Sequence, residues 1–344
     1  MKQGDLGAQT ANGVVLADER APHASSAYRA PWWLPGGHLQ TIYPFLFRRP
    51  PRTPTLRERW DTPDGDFVDV DLLEASASAP LLVLFHGLEG GSHSHYARAL
   101  MQVARARGWR VLLPHFRGCS GEANRLPRAY HSGDTVELDW MLRRAQAIAG
   151  DGPMYAMGVS LGGNVLLKWL GEQGAAANEL VRAAAAVSAP LDLMAAGHAL
   201  ERGFNRIYTR MFLATLVAKS MDIIARFPGA FDGERAARAR TLREFDDAVT
   251  APLHGFADVT DYWTRASAKP LLRDIRVRTL VMNARNDPFL PAKHLPAHDE
   301  VSAAVTLELP VSGGHVGFLS GPFPGHLRWL PQRVFEFFNQ ADRS

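Results

Sequence analysis

The chain has 344 residues, 46% of them hydrophobic and 21% charged, with a formal net charge of +3. That is enough apolar material for one large domain with an insertion, or for two small ones. The slight, evenly mixed charge and the lack of a basic stripe interleaved with aromatics exclude a nucleic-acid partner, and the single cysteine, Cys119, excludes an internal disulfide and fits a reducing compartment.

Residues 1–30 are Ala/Gly-rich and polar and are expected to be poorly ordered. Their start lacks the apolar core of a signal peptide. No apolar run along the chain reaches membrane-spanning length, so a cytoplasmic protein without stable membrane insertion is expected. Residues 30–42, rich in Trp and Pro, read as a fixed loop packed on the body. Residues 56–61 and 67–73 flank Pro63-Asp64-Gly65-Asp66, a hairpin signal. Strand and helix patterns then alternate: a strand over 79–85, a helix over 94–107, a strand over 110–113 and a helix over 135–149. Asp134 is expected to cap that last helix, with Glu137 three residues on as in a capping box. A strand from Met154, a helix over 161–173 and a strand over 181–187 follow. Such alternation predicts an α/β fold, with a mostly parallel sheet and helices on both faces.

The alternation stops over 191–269. That stretch is helical in pattern, at 204–227, 234–249 and 259–268. It interrupts a core formed by 31–190 and 270–344 and is expected to be a helical cap. Its many apolar residues suit packing within a lid, or a surface that receives an acyl chain or touches lipid. Strands over 277–283 and 305–309 resume the sheet, and a helix over 331–339 closes the chain.

The chemistry lies where these strands end. Met154 to Val159 runs into Gly158-Val159-Ser160-Leu161-Gly162 and then a helix, the setting of a nucleophile elbow. A side chain at Gly158 or Gly162 would collide with the neighbouring strand or helix. Asp287 lies just past the strand that ends at Asn283, and His315 in the Gly-rich loop after 305–309. Serine, then acid, then histidine is the chain order of an α/β-hydrolase. A serine hydroxyl needs a neutral imidazole to take its proton, and the acid fixes the imidazole tautomer. Asp192, just after the strand over 181–187, is a competing acid. The loop His86-Gly87-Leu88-Glu89-Gly90-Gly91 follows the strand over 79–85. With the amide of Leu161, that of Leu88 is expected to form an oxyanion hole, each donor worth about 3 kcal/mol in the transition state. His86 and Gly87 are placed at the substrate, with His86 also orienting the loop by hydrogen bonds. His86, His93 and His95 do not make a metal pattern. Cys119 reads as a small packed residue or a reactive thiol. Arg117 and Glu122 are expected to pair or cap a loop, and His38 to line the pocket or support it.

Taken together, several segments resemble the YheT-type hydrolases, a branch of the α/β-hydrolase superfamily also grouped as the AB-hydrolase 4 family. They are His86-Gly87-Leu88-x-Gly90, His115-Phe116-Arg117-Gly118-Cys119-Ser120-Gly121, Gly158 to Asn164, Asn286-Asp287-Pro288-Phe289 and Gly313 to Phe318. Gly37-His38-Leu39-Gln40-Thr41 also matches that branch. The likeness runs from about residue 32 to 338. It implies a carboxylesterase-like serine hydrolase with Ser160 as nucleophile, Asp287 as acid and His315 as base. Lipid or medium-chain esters are possible substrates, since eukaryotic members include lipid-active enzymes. One departure is His115, where the family usually has Asn; it leaves the three residues intact. The expected activity is cleavage of carboxylic esters through an acyl-enzyme, on a small-molecule substrate, with no cofactor and no metal. A thioesterase, lipase or acyltransferase with the same triad, or a non-catalytic ligand-binding protein on the same fold, remains open.

Overall fold

The computed structural model describes residues 28–341; the expectation of poor order for 1–30 falls outside them up to residue 27 and fails at Tyr28, which is buried and donates its O–H to Leu319 O at 2.8 Å. Helix α1 (Gly37–Phe47) comes first, followed by strands β1 (Leu56–Asp61) and β2 (Phe67–Leu73), which pair antiparallel. Next are β3 (Leu81–Phe85), α2 (His95–Ala106), β4 (Arg110–Pro114), α3 (Thr135–Ala149), β5 (Met154–Val159), α4 (Leu161–Gln173) and β6 (Ala183–Val187). The helices α5 (Leu193–Leu200), α6 (Arg206–Arg226), α7 (Gly233–Arg238), α8 (Leu242–Phe245), α9 (Ala251–His254) and α10 (Val259–Ala266) follow, then β7 (Thr279–Met282), β8 (Val305–Glu308) and α11 (Trp329–Ala341).

The eight strands form one sheet in the order β1-β2-β4-β3-β5-β6-β7-β8, antiparallel at β1/β2 and β2/β4 and parallel across the rest. The α/β class expected from alternation is therefore the observed one. Strands β3, β4, β5 and β6 are buried along their whole length, as continuous apolar runs must be when helices cover both faces. The period-two alternation sorts their side chains. Leu81, Val83 and Ala156 face the layer holding Leu138, Met141 and Val165 of α3 and α4. Leu82, Leu84 and Tyr155 face Leu100 of α2 and Phe335 and Phe338 of α11.

Two readings need correction. Residues 37–47 are a helix rather than part of a loop. That helix buries Gln40, Thr41 and Pro44 and exposes Leu39, Leu46 and Phe47, so its apolar residues do not mark a core-facing side. The helix expected over 234–249 is broken. Ala239 leaves the helical region, Thr241 restarts the chain as an N-cap by accepting from the Glu244 N–H at 3.1 Å, and Asp246–Thr250 winds as a π-helix. No helix among the described residues is long and apolar enough to cross a membrane.

Candidate active site

Ser160 sits between the last residue of β5 and the first of α4, with φ 52° and ψ −121°. That is a strained position for a non-glycine residue, and it lifts the side chain off the sheet. The turn is possible because the backbones meet without side chains: a Cβ on Gly158 would lie 2.3 Å from the Gly162 carbonyl oxygen. The Ser160 amide donates to Val187 O at 2.9 Å, pinning the elbow to β6.

The loops after β7 and β8 bring the other two groups to it. His315 Nε2 lies 2.9 Å from Ser160 Oγ, and His315 Nδ1 lies 2.9 Å from Asp287 Oδ2. The other Asp287 oxygen, Oδ1, accepts from the Phe289 N–H at 2.8 Å, and both Asp287 and His315 are buried. The Phe289 ring stacks on the imidazole at 4.0 Å between centroids, fixing its plane. An imidazole held in this way can accept a proton from Ser160 on one nitrogen while its other N–H stays with the carboxylate. Asp192 is elsewhere: it caps α5 by accepting from the Ala195 N–H at 2.9 Å, and its ionic neighbour is His294 at 3.6 Å.

The Leu161 amide opens α4 directly after Ser160, where helix N–H groups and the helix dipole favour negative charge. Leu88 and Leu161 line the same cavity as Ser160, of about 100 Å³. Among the described residues no hydrogen bond engages the Leu88 amide. The loop bearing it is braced from below. Glu89, at φ 55°, donates its N–H to Tyr130 Oη at 2.8 Å and accepts Tyr130 O–H at 2.9 Å. Its carboxylate also pairs with Lys219 of α6 at 2.7 Å.

His86 and Gly87, both expected at the substrate, are placed differently from each other. His86 is fully buried, its Nδ1 donates to Gly87 O at 2.7 Å, and its Nε2 accepts the Phe116 N–H at 3.0 Å. Burial lowers its pKa to about 3, so the ring stays neutral in that donor–acceptor role. The Gly87 N–H is taken by Tyr96 Oη at 2.8 Å. His86 shapes the loop from behind, whereas Gly87 lies against the nucleophile, where a Cβ on it would sit 3.1 Å from Ser160 Cβ and 3.7 Å from Ser160 Oγ. Arg117 is buried among Glu137, Asp66 and Asp64, whereas Glu122 pairs with Arg59, so the two do not meet. His115 bonds Asp71 at 2.8 Å beside Arg57. Burial alone would raise the Asp71 carboxyl, but those two partners hold it below the usual range. Burial pushes the Cys119 thiol up to about 12, the opposite of an activated thiolate. His38 bonds Tyr208 Oη at 3.1 Å and joins α1 to α6. Among the described residues no group of three or more His, Cys, Asp or Glu side chains is placed to hold a metal ion.

Sequence reasoning assigned no role to the residues that hold the histidine loop. Thr41 Oγ1 accepts the His315 N–H at 2.8 Å, Gln40 Oε1 the Gly313 N–H at 2.9 Å, and Ser188 Oγ the Val316 N–H at 3.0 Å. Here α1 touches the loop backbone to backbone: a Cβ on Gly317 would lie 2.0 Å from Gln40 O. The Gly-His-Leu-Gln-Thr segment was the only available signal. Asn164 was also missed as an anchor; it is buried in the first turn of α4 and binds Ser132 O, Ala266 O and the Ala268 N–H at 2.8, 2.8 and 3.1 Å. Asp246 is a third. It lies on the wall shared by the cavity at Ser160 and a larger one of about 430 Å³, accepting from Thr250 Oγ1 at 2.7 Å and Trp263 Nε1 at 2.8 Å. Burial raises its pKa to about 6 against those two hydrogen bonds.

Residues 80–322 match the family model described as the alpha/beta hydrolase fold. The chain is 43% identical over 303 residues to YheT of Escherichia coli K12, whose name assigns it to the esterases; 86% of this chain and 88% of YheT are covered. Human phospholipase ABHD3 is 29% identical over 334 residues, covering 94% of this chain and 81% of its own. Among solved structures, Est1E from Butyrivibrio proteoclasticus aligns over 85% of this chain and 100% of its own, with a TM-score of 0.53 and 13% identity, a likeness of fold alone.

Proposed function

The chain belongs to the α/β-hydrolase fold family, in its YheT-type branch, and on that premise we propose that it is a serine hydrolase cleaving carboxylic esters through an acyl-enzyme. The observation that carries this reading is the continuous relay from Ser160 Oγ to His315 Nε2 and from His315 Nδ1 to Asp287 Oδ2, each 2.9 Å long.

Ser160 Oγ attacks the ester carbonyl carbon while His315 Nε2 takes its proton. Asp287 holds the Nδ1–H and stabilises the imidazolium that forms. The tetrahedral oxyanion is received by the amides of Leu88 and Leu161. Collapse breaks the bond to the alcohol, which leaves with the proton from His315. Water then gives a proton to His315 and attacks the acyl carbon, releasing the acid and restoring Ser160. We assign residues 191–269 as a cap, because Leu193, Ala196, Leu200, Phe212 and Leu242 of that stretch help line the cavity at Ser160. Such a wall favours an apolar acyl or alkyl group next to the scissile bond. The esterase and phospholipase names of the relatives support ester substrates of this kind. One cysteine, without a disulfide partner, fits the reducing cytoplasm.

The test is labelling with a fluorophosphonate probe beside turnover of p-nitrophenyl esters of increasing acyl length. The intact protein is expected to be labelled and to hydrolyse some of the esters, and Ser160→Ala to do neither. Labelling or full turnover in folded Ser160→Ala would overturn the assignment.

A further inference from the structure

Helix α1 is apolar on the wrong side. Its inner face consists of Gln40, Thr41 and Pro44, all buried, and Gln40 and Thr41 bond the acid and histidine loops. Leu39, Tyr43, Leu46 and Phe47, spaced i, i+4, i+7 and i+8, form one outward stripe. Leu39 is 51% exposed, Leu46 50% and Phe47 65%. An isolated exposed leucine needs no explanation, but a contiguous face does.

The face continues beyond α1. Trp33 packs edge-on against both Tyr43 and Phe323, at 5.3 and 5.4 Å between centroids, and Phe323 is 73% exposed. On the other flank the His38 ring lies 4.6 Å from that of Phe204, which begins a second exposed stripe with Ile207 and Met211. Seven of the twelve exposed large hydrophobic side chains among the described residues belong to these two stripes and Phe323.

Its charge is one-sided. Residues 28–52 contain Arg29, Arg48, Arg49 and Arg52 and no Asp or Glu; residues 202–211 contain Arg202, Arg206 and Arg210 and again no Asp or Glu. A second copy of the chain would set two basic faces against each other. We propose that this apolar, arginine-bordered face of α1 and the start of α6 docks the protein peripherally on the surface of an anionic phospholipid membrane. An eleven-residue helix is only about 16 Å long, too short to span a bilayer and suited to lying in its interface. The face also adjoins the site: Tyr208 packs on Phe289 at 4.9 Å, and Phe289 stacks on His315. Docking itself is independent of the esterase reading; only its purpose, presenting a membrane-borne ester to Ser160, rests on that reading.

The experiment is co-sedimentation of the full-length protein with vesicles of phosphatidylcholine alone or mixed with phosphatidylglycerol, with tryptophan emission read in parallel. Binding is expected only to the mixed vesicles, weakened by salt, with a blue shift from Trp32 and Trp33. The double variant Leu46→Asp with Phe47→Asp should bind at least about tenfold more weakly. Each of Arg206→Gln and Arg210→Gln should cost about fivefold. Ser160→Ala should bind as the intact protein does, which separates failure of docking from failure of the catalytic assignment. Unchanged fluorophosphonate labelling of the double variant would show that its site is intact; if that variant does not fold, the arginine variants decide. Equal partition to both vesicle types, variants that bind like the intact protein, or a dimer in sedimentation that the same substitutions dissociate would overturn the proposal.

Discussion

The hydroxyl of Thr41 accepts the backbone N–H of His315 at 2.8 Å and donates to Gly37 O at 2.7 Å. A residue of the first helix therefore sets the height of an imidazole that the chain reaches 274 positions later. Thr41→Val keeps the shape and removes the acceptor, stranding a buried N–H at a cost of about 1–3 kcal/mol. We expect kcat on a soluble ester to fall about tenfold or more with KM little changed, and Thr41→Ser to recover most of the loss. An unchanged kcat in Thr41→Val would show that the loop is held by Gln40 and Ser188 alone.

Asn164 joins three segments at once. Its amide donates to Ser132 O and Ala266 O and accepts the Ala268 N–H, so it ties the end of α10 to the first turn of α4. Asn164→Ala leaves those groups buried and unpaired and is expected to destabilise the fold by about 3 kcal/mol. The midpoint of urea unfolding measures this, provided the slope is unchanged. A loss below about 0.5 kcal/mol would mean that other contacts hold α10 down.

Asp246 gives a stability term with a defined pH window. Its carboxyl has an ordinary pKa of 3.8, raised in the folded protein to about 6 by burial, with the bonds from Thr250 and Trp263 opposing. The folded state thus keeps a proton that the unfolded state has already lost, and stability falls as pH rises from about 4 to about 6. Asp246→Asn removes that term while its carbonyl still accepts from Trp263. Since Asp246 is partly open to the cavities, the variant should gain about 1–2 kcal/mol over the native protein at pH 8 and little at pH 4. Equal differences at the two pH values would rule out this titration as the cause.

The order of strands and helices was legible because period-two and period-3.6 patterns and cap residues are local. Asp134 accepts from the Glu137 N–H at 3.2 Å as an N-cap should, but the Glu137 carboxylate pairs with Arg117 and the Asp134 N–H goes to His131 O, so the expected capping box is only half formed. What failed was equally local in cause. Residues 30–42 read as a loop from their Trp and Pro content, and the helix at 37–47, which turns Leu39, Leu46 and Phe47 to solvent, carries no inward apolar stripe to signal it. The break at Ala239–Thr241 lies inside an apolar periodicity that runs on across it.

Ser160, Asp287 and His315 could be named from the chain alone, because each stands where a strand ends and their order suits one fold. The glycines around Ser160 were readable for the same reason: a tight strand-to-helix turn admits no side chain. The supports were not readable. Thr41, Gln40, Ser188 and Asn164 act through single hydrogen bonds to backbone groups of distant segments. Asp246 acquires its raised pKa only from the helices that bury it. Hydrogen-bond geometry and desolvation depend on which atoms the fold brings within about 3 Å; residue types and spacings along the chain carry no record of that, and only the packed tertiary structure decides it.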